Sequence, residues 1–289
     1  EAGIRLTNEG NKFYDNFDAT APTWSACQFY GAGLGLEPVG PITPRGLRER
    51  VFGSLAQGNR QIFHYYQNID RPAAEQAPVD VALRQYRELA AERPAEPAVA
   101  VYWPTDQMVL SGAIPAETYR ALRAIRRDYP VRPVTDLMIL DGALEGFGCL
   151  VMVGAKVARR AVLEAIAAWA DAPGRVLLAA GRTQDLERER VPEWEACFGI
   201  QAESLDEAGV MNFRQRDVAD YPSLAAVREF TAMVSWLNLA PGGRPLFQSD
   251  VYEWNACRAP AGTALFENRT PGGGRGVYYA GEPVFEKDP

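Results

Sequence analysis

The chain has 289 residues, 47% of them hydrophobic and 23% charged, enough apolar material for one large domain or two to three ordinary ones. Its formal net charge of −7 argues against a general nucleic-acid binder, which needs a basic face for phosphates. No apolar run reaches the roughly 18 residues of a membrane span, so no membrane partner is expected.

Cys27, Cys149, Cys197 and Cys257 are scattered, with no C-x-x-C, and His64 is the sole histidine. The thiols read as buried small hydrophobes and not as a disulfide framework, and a Cys/His zinc site is not expected. Neither a metal nor a cofactor is called for. Asn268-Arg269-Thr270 matches the glycosylation sequon, but a single match followed by Pro271 decides nothing.

Ile4-Arg5-Leu6-Thr7 alternates apolar and polar, a strand that runs into Asn8-Glu9-Gly10. Residues 11–23 read as a polar, aromatic loop containing Phe13, Tyr14 and Phe17, with a short helix from Trp24 to Gly31. Aromatics and amides of this kind suit sugar faces as well as packing. The second strand, Leu34-Gly35-Leu36-Glu37, carries one carboxylate before Pro38 breaks the pattern. Thr43 to Gly58 is a helix, with Thr43 as N-cap, Pro44 at the first position and Gly58 as its stop. Gln61-Ile62-Phe63-His64-Tyr65-Tyr66 is a third strand.

Strand–helix–strand units of this kind build parallel sheets and barrels, and a residue at the C-terminal end of a barrel strand points into the mouth. Position alone leaves Glu37 either an active-site carboxylate or a loop carboxylate in a surface salt bridge. Too few units are present to close a barrel, so the expectation is a piece of a larger polypeptide.

Residues 71–78 read as a proline- and alanine-rich break, followed by a helix from Val79 to Arg93 with Val79, Leu83, Tyr86 and Leu89 on one face, then the stiff linker Pro94-Ala95-Glu96-Pro97. Next come the continuous apolar strands Val99–Trp103, Val131–Thr135, Cys149–Val153 and Arg175–Ala180, with helices Pro115–Arg127 and Val157–Ala170 between them. That pattern means a doubly wound parallel sheet covered on both faces. Tyr221 to Leu237 is expected to be helical. After Gly242-Gly243 come short strands, Thr263–Glu267, Gly276–Tyr279 and Pro283–Glu286, with the turn Pro271-Gly272-Gly273-Gly274, an antiparallel β module.

A retaining glycosidase needs two carboxyl groups about 5–5.5 Å apart, one as nucleophile and one as acid/base. Glu37 is the better nucleophile candidate, and Glu9 is the other carboxylate similarly placed at a strand end. Asn8, Trp24, His64, Tyr65 and Tyr66 are candidate substrate-binding residues, with His64 and Tyr66 on one face of their strand and Tyr65 on the other. Amide hydrolysis of the class I amidotransferase kind needs a cysteine at a sharp strand-to-helix turn and a histidine base. Cys149 instead starts its strand, which ends at Val153-Gly154-Ala155, and His64 lies in a different domain. Gly31, Gly33 and Gly35 fail the dinucleotide spacing and precede a strand.

This layout resembles the family-42-type β-galactosidases. Gly35-Leu36-Glu37-Pro38-Val39-Gly40 and Ile62-Phe63-His64-Tyr65-Tyr66 look like the last two strands of a (β/α)8 glycoside hydrolase barrel. The α/β segment looks like that family's amidotransferase-like trimerisation domain. The resemblance implies an α/β fold in three parts: residues 1–78 as the C-terminal part of a (β/α)8 catalytic barrel, 79–240 as the amidotransferase-like domain, and 241–289 as a small, truncated β domain. It places Glu37 at the nucleophile position of the seventh strand. Asn8-Glu9 copies the family's Asn-Glu pair, but its closeness to Glu37 in sequence puts it on the sixth strand, so the family's acid/base would precede residue 1. The sequence around Glu37 also departs from the usual β-galactosidase nucleophile strand. A carbohydrate substrate, no nucleic-acid or membrane partner, and a homo-oligomer, a trimer, are further implications. The other reading is a non-catalytic α/β module that mediates oligomerisation.

Overall fold

The structure, a computed structural model, describes residues 3–9, 13–39, 43–56, 73–89, 96–216, 218–239, 243–248, 252–254, 257–259 and 263–281. Two compact units divide it: Glu1–Pro97 with Arg132–Val134, and Ala98–Val131 with Thr135–Pro289.

The first unit begins with a βαβ element. Strand β1 (Gly3–Glu9) lies parallel to β2 (Gly33–Val39), and helix α1 (Phe13–Tyr30) joins them. The loop expected over residues 11–23 is therefore helical from Phe13 onward. Phe17, Thr20, Ala21, Trp24 and Cys27 recur at intervals of three and four, and this stripe is buried or partly buried. Gly31, at φ +70°, takes the left-handed turn that releases the chain into β2. The second strand continues through Pro38 to Val39, two residues beyond Glu37.

Helix α2 (Pro44–Ala56) starts as expected: the Thr43 hydroxyl accepts the Gly46 N–H at 3.1 Å. Helix α3 (Ala73–Leu89) absorbs the segment read as a break, with Pro78 inside it. Its inner face centres on the buried Ala82, flanked by Leu83 and Tyr86, whereas Leu89 is exposed. The strand expected at residues 61–66 lies outside the described residues.

The second unit is built on one nine-stranded sheet. Its strands are β3 (Val99–Trp103), β4 (Val131–Thr135), β5 (Cys149–Val153), β6 (Val176–Ala180), β7 (Ile200–Gln215), β8 (Glu229–Leu239), β9 (Arg244–Gln248), β12 (Thr263–Arg269) and β13 (Arg275–Tyr279), in the order β4-β3-β5-β6-β13-β12-β9-β7-β8. A separate two-stranded antiparallel pair, β10 (Tyr252–Trp254) and β11 (Cys257–Ala259), falls between β9 and β12 in sequence. The helices are α4 (Thr105–Ser111), α5 (Ala116–Arg126), α6 (Asp136–Leu140), α7 (Arg160–Asp171) and α8 (Pro192–Phe198). Strand β5 runs parallel to both β3 and β6, as the continuous apolar runs require. Helix α7 buries Val162, Leu163, Ile166 and Ala170, and α8 buries Trp194 and Phe198.

Two expectations are corrected here. The helix expected over Tyr221–Leu237 is a short 3-10 turn, Pro222–Leu224, followed by β8, which pairs antiparallel with β7 from Ile200↔Leu239 to Arg214↔Glu229. The pairing partner is remote in sequence, which a local helical reading cannot see. Residues 283–286, expected as a strand, lie outside the described residues; β12 and β13 are antiparallel as expected, yet they extend the α/β sheet, because β13 lies parallel to β6 from Arg275↔Val176 to Tyr279↔Ala180.

The glycine run makes this merger possible. A Cβ on Gly274 or Gly276 would fall far inside the 3.0 Å that real Cβ atoms keep from other heavy atoms, against the carbonyls of Ala170 and Cys197 respectively. Asn268 of the sequon is also held in the sheet, its amide donating to the Ala196 carbonyl at 3.1 Å and the Cys197 carbonyl at 3.4 Å.

Candidate functional site

Period-two alternation together with the β1–β2 register positions the acidic residues of the first unit. Leu34 is fully buried against Cys27, Trp24 and Ala32, so the even-numbered residues of β2 lie on the α1 face. Glu37, Gly35 and Gly33 therefore belong to the opposite face. Thr7 pairs with Glu37 and Glu9 with Val39, which puts Thr7 and Glu9 on Glu37's side. Glu9 and Glu37 are two register positions apart on adjacent strands, so their Cα positions are roughly 8 Å apart.

The other candidates are placed differently. Asn8 pairs with Pro38, one register position from the Thr7–Glu37 pair. Trp24 sits within α1, partly buried against the Cys27–Leu34 cluster. His64, Tyr65 and Tyr66 lie outside the described residues.

In the second unit, Cys149 is the first residue of β5, and burial pushes its thiol up to about 11. The C-terminal end of that strand, where a strand-to-helix nucleophile would stand, is Val153-Gly154-Ala155. Gly154 turns there at φ +79°, with Pro115, Glu117 and Thr118 where a side chain would be. The amidotransferase alternative therefore has its only local thiol at the wrong end of the strand.

Sequence reasoning missed a buried polar network at the ends of β3 and β4. Asp136 is fully buried and accepts from the Tyr102 hydroxyl, the Thr105 hydroxyl and, at 3.1 Å, the Asp106 N–H. The Arg159 guanidinium in turn donates to Asp106 at 2.6 Å. Burial, then the Asp136 charge, raises Tyr102 well above its usual range. Burial also raises Asp106, and the Arg159 hydrogen bond opposes it. Asp136 thus has three donors on its two oxygens, the arrangement of a structural anchor. The sequence signal was Thr135-Asp136 directly after an apolar strand, an N-cap pair in which Thr135 accepts from the Met138 N–H at 3.4 Å.

No family model matches the sequence, and no curated protein matches it. Solved structures do. A polyextremophilic β-galactosidase from the Antarctic haloarchaeon Halorubrum lacusprofundi superposes with a TM-score of 0.62 at 14% identity, over 94% of this chain and 44% of that one. Gan42B, a GH42 β-galactosidase, gives 0.60 at 12% identity, over 97% and 46%. A catalytic mutant of Gan42B from G. stearothermophilus gives 0.55 at 13% identity, over 84% and 40%. The chain spans less than half the length of each. What it shares with these family-42 enzymes is the fold: a mixed α/β architecture resembling part of a family-42 β-galactosidase.

Proposed function

We propose that this chain is part of a retaining β-glycosidase, most like a β-galactosidase, with Glu37 as its nucleophile. The observation that carries the reading is the parallel β1–α1–β2 unit with Glu37 near the C-terminal end of β2, on the face turned from α1. The likeness in fold to family-42 β-galactosidases supports it. In this mechanism Glu37 attacks the anomeric carbon and forms a covalent glycosyl intermediate. A second carboxylic acid protonates the leaving oxygen, then deprotonates the water that releases the sugar. Glu9 is the acid/base candidate within the chain, and the family pattern places that residue upstream. His64, Tyr65 and Tyr66 stay in the proposal as sugar contacts.

The test is Glu37→Gln in the polypeptide that carries this chain, assayed on an aryl β-galactoside. Turnover is expected to fall by about a thousandfold or more, because an amide cannot form the glycosyl ester. Near-normal turnover with an unchanged circular dichroism spectrum refutes the assignment. That result would leave the second reading, a non-catalytic α/β module that holds copies together as a homo-oligomer, a trimer if the family pattern extends to assembly. A specific observation favours that reading for the second unit: Val109 and Leu110 on α4 are 79% and 66% exposed.

A further inference from the structure

The register of β1 and β2 fixes which charges share a face with Glu37. From the N-terminal end, the pairs on that face are Gly3↔Gly33, Arg5↔Gly35, Thr7↔Glu37 and Glu9↔Val39. Arg5 is the one basic residue of the two strands, and Glu9 and Glu37 are their only carboxylates. At Gly33 and Gly35, β2 contributes no side chain to the face, and a Cβ on Gly33 would meet nothing within 4 Å.

Distance separates the two carboxylates. Arg5 and Glu37 are two register positions apart on neighbouring strands, with Cα positions roughly 8 Å apart. Arg5 and Glu9 are four residues apart along one strand, roughly 13 Å. A cation favours the ionised form of an acid more strongly the closer it stands. Among the described residues, the elements packed on β2 are β1 and α1. The titratable residues of α1 are Tyr14, Asp15, Asp18, Cys27 and Tyr30, none of them a base, and that helix covers the opposite face. On these elements Arg5 alone favours an ionised Glu37, whereas the acids oppose it.

A retaining glycosidase needs its two carboxyl groups in different states at one pH, the nucleophile ionised and the acid/base protonated. Resting on the glycosidase reading, we propose that Arg5, placed opposite Gly35 and two register positions from Glu37, is the positioning residue that keeps Glu37 ionised. Its greater separation from Glu9 gives it a weaker hold on that carboxyl, so one cation moves the two acids apart. The role is exerted through Glu37 and not on the sugar.

The test is the pH profile of kcat/KM on an aryl β-galactoside, in the polypeptide that carries this chain. The acid limb reports ionisation of the nucleophile in the free enzyme, and in the parent it is expected below the ordinary glutamate value of about 4.3. In Arg5→Gln the limb is expected to rise by about one pH unit or more. Arg5→Lys keeps the charge, and its limb is expected within about half a unit of the parent's. An unmoved limb in Arg5→Gln with the parent's circular dichroism spectrum overturns the proposal. A limb displaced as far in Arg5→Lys as in Arg5→Gln also overturns it, since a role in packing does not depend on charge. Should Arg5→Gln fail to fold, the parent decides: an acid limb at or above about 4.3 overturns the proposal. Glu37→Gln keeps the two readings apart. If that variant still turns over, the nucleophile assignment fails and takes the role of Arg5 with it; if it is inactive while Arg5→Gln has the parent's limb, the role of Arg5 fails alone.

Discussion

Replacing Gly276 by alanine tests whether the C-terminal strands belong to the α/β sheet. Gly276 pairs with Leu177 of β6 on one side and Asn268 of β12 on the other, so β13 is held on both edges. Above it passes the C-terminal end of α8, and an added methyl would collide with the Cys197 backbone carbonyl and approach the Phe198 ring at 3.0 Å. A flexible side chain could swing away from such a contact, but a carbonyl belonging to a helix packed on both β12 and β13 cannot. Either α8 lifts, loosening the fully buried Phe198 and Trp194, or β13 shifts out of register with β6. Overpacking of this kind costs about 1–3 kcal/mol and more where backbone is the obstacle, so a loss of about 3 kcal/mol is expected. Urea denaturation followed by tryptophan fluorescence measures it. Gly146→Ala is the control, since a Cβ there meets nothing within 4 Å, and it should change stability by no more than about 0.5 kcal/mol. If Gly276→Ala proves as stable as that control, α8 does not lie on β13 and the merged sheet is wrong.

The polar anchor and the buried thiols supply two more predictions. Asp136→Asn puts an amide donor among three donors, and is expected to lower stability by about 2–4 kcal/mol in the same denaturation assay; an unchanged midpoint would mean Asp136 is not the acceptor described. Burial first, then the Asp171 charge, pushes Cys197 up to about 12 from an ordinary value of 9.0. Between those values the unfolded chain has released a proton that the folded chain still holds, so this contribution to stability is complete below pH 9 and is lost as pH rises towards 12. The loss is roughly 2 kcal/mol by about pH 10.5. Cys197→Ala should flatten the fall of stability with alkali by that amount, and an identical pH slope in variant and parent contradicts the buried placement.

The strands legible in the sequence are those whose identity is decided locally. Val99–Trp103, Val131–Thr135, Cys149–Val153 and Val176–Ala180 are short, apolar and bounded by polar turns, and each lies within a residue of its expected place. Strands decided by a distant partner were not legible. Phe230 to Leu239 is apolar enough to read as helix, and only the antiparallel run of β7 fixes it as strand. The glycines of 272–274 showed a turn, but not that α7 presses on it and α8 on Gly276, because close approach is a tertiary fact. Helix α1 was obscured by its own composition: Asn16, Asp18, Thr20 and Pro22 look like loop residues until the stripe from Phe17 to Cys27 is buried.

The same division holds for the candidate site. That Glu37 stands near the end of a strand was readable from Leu34 to Glu37, but which face it takes was not, because alternation gives parity without a reference. Leu34 supplies the reference. Once it is seen to pack on Cys27 of α1, the parallel register carries the assignment across to Thr7 and Glu9 and removes Asn8 from the same face. The consequence reaches the chemistry. On β1, Glu9 has the register parity of Glu37 and Asn8 does not. The Asn-Glu pair that looked like one unit in the sequence is divided by the alternation of the strand, with Glu9 and not Asn8 in step with Glu37.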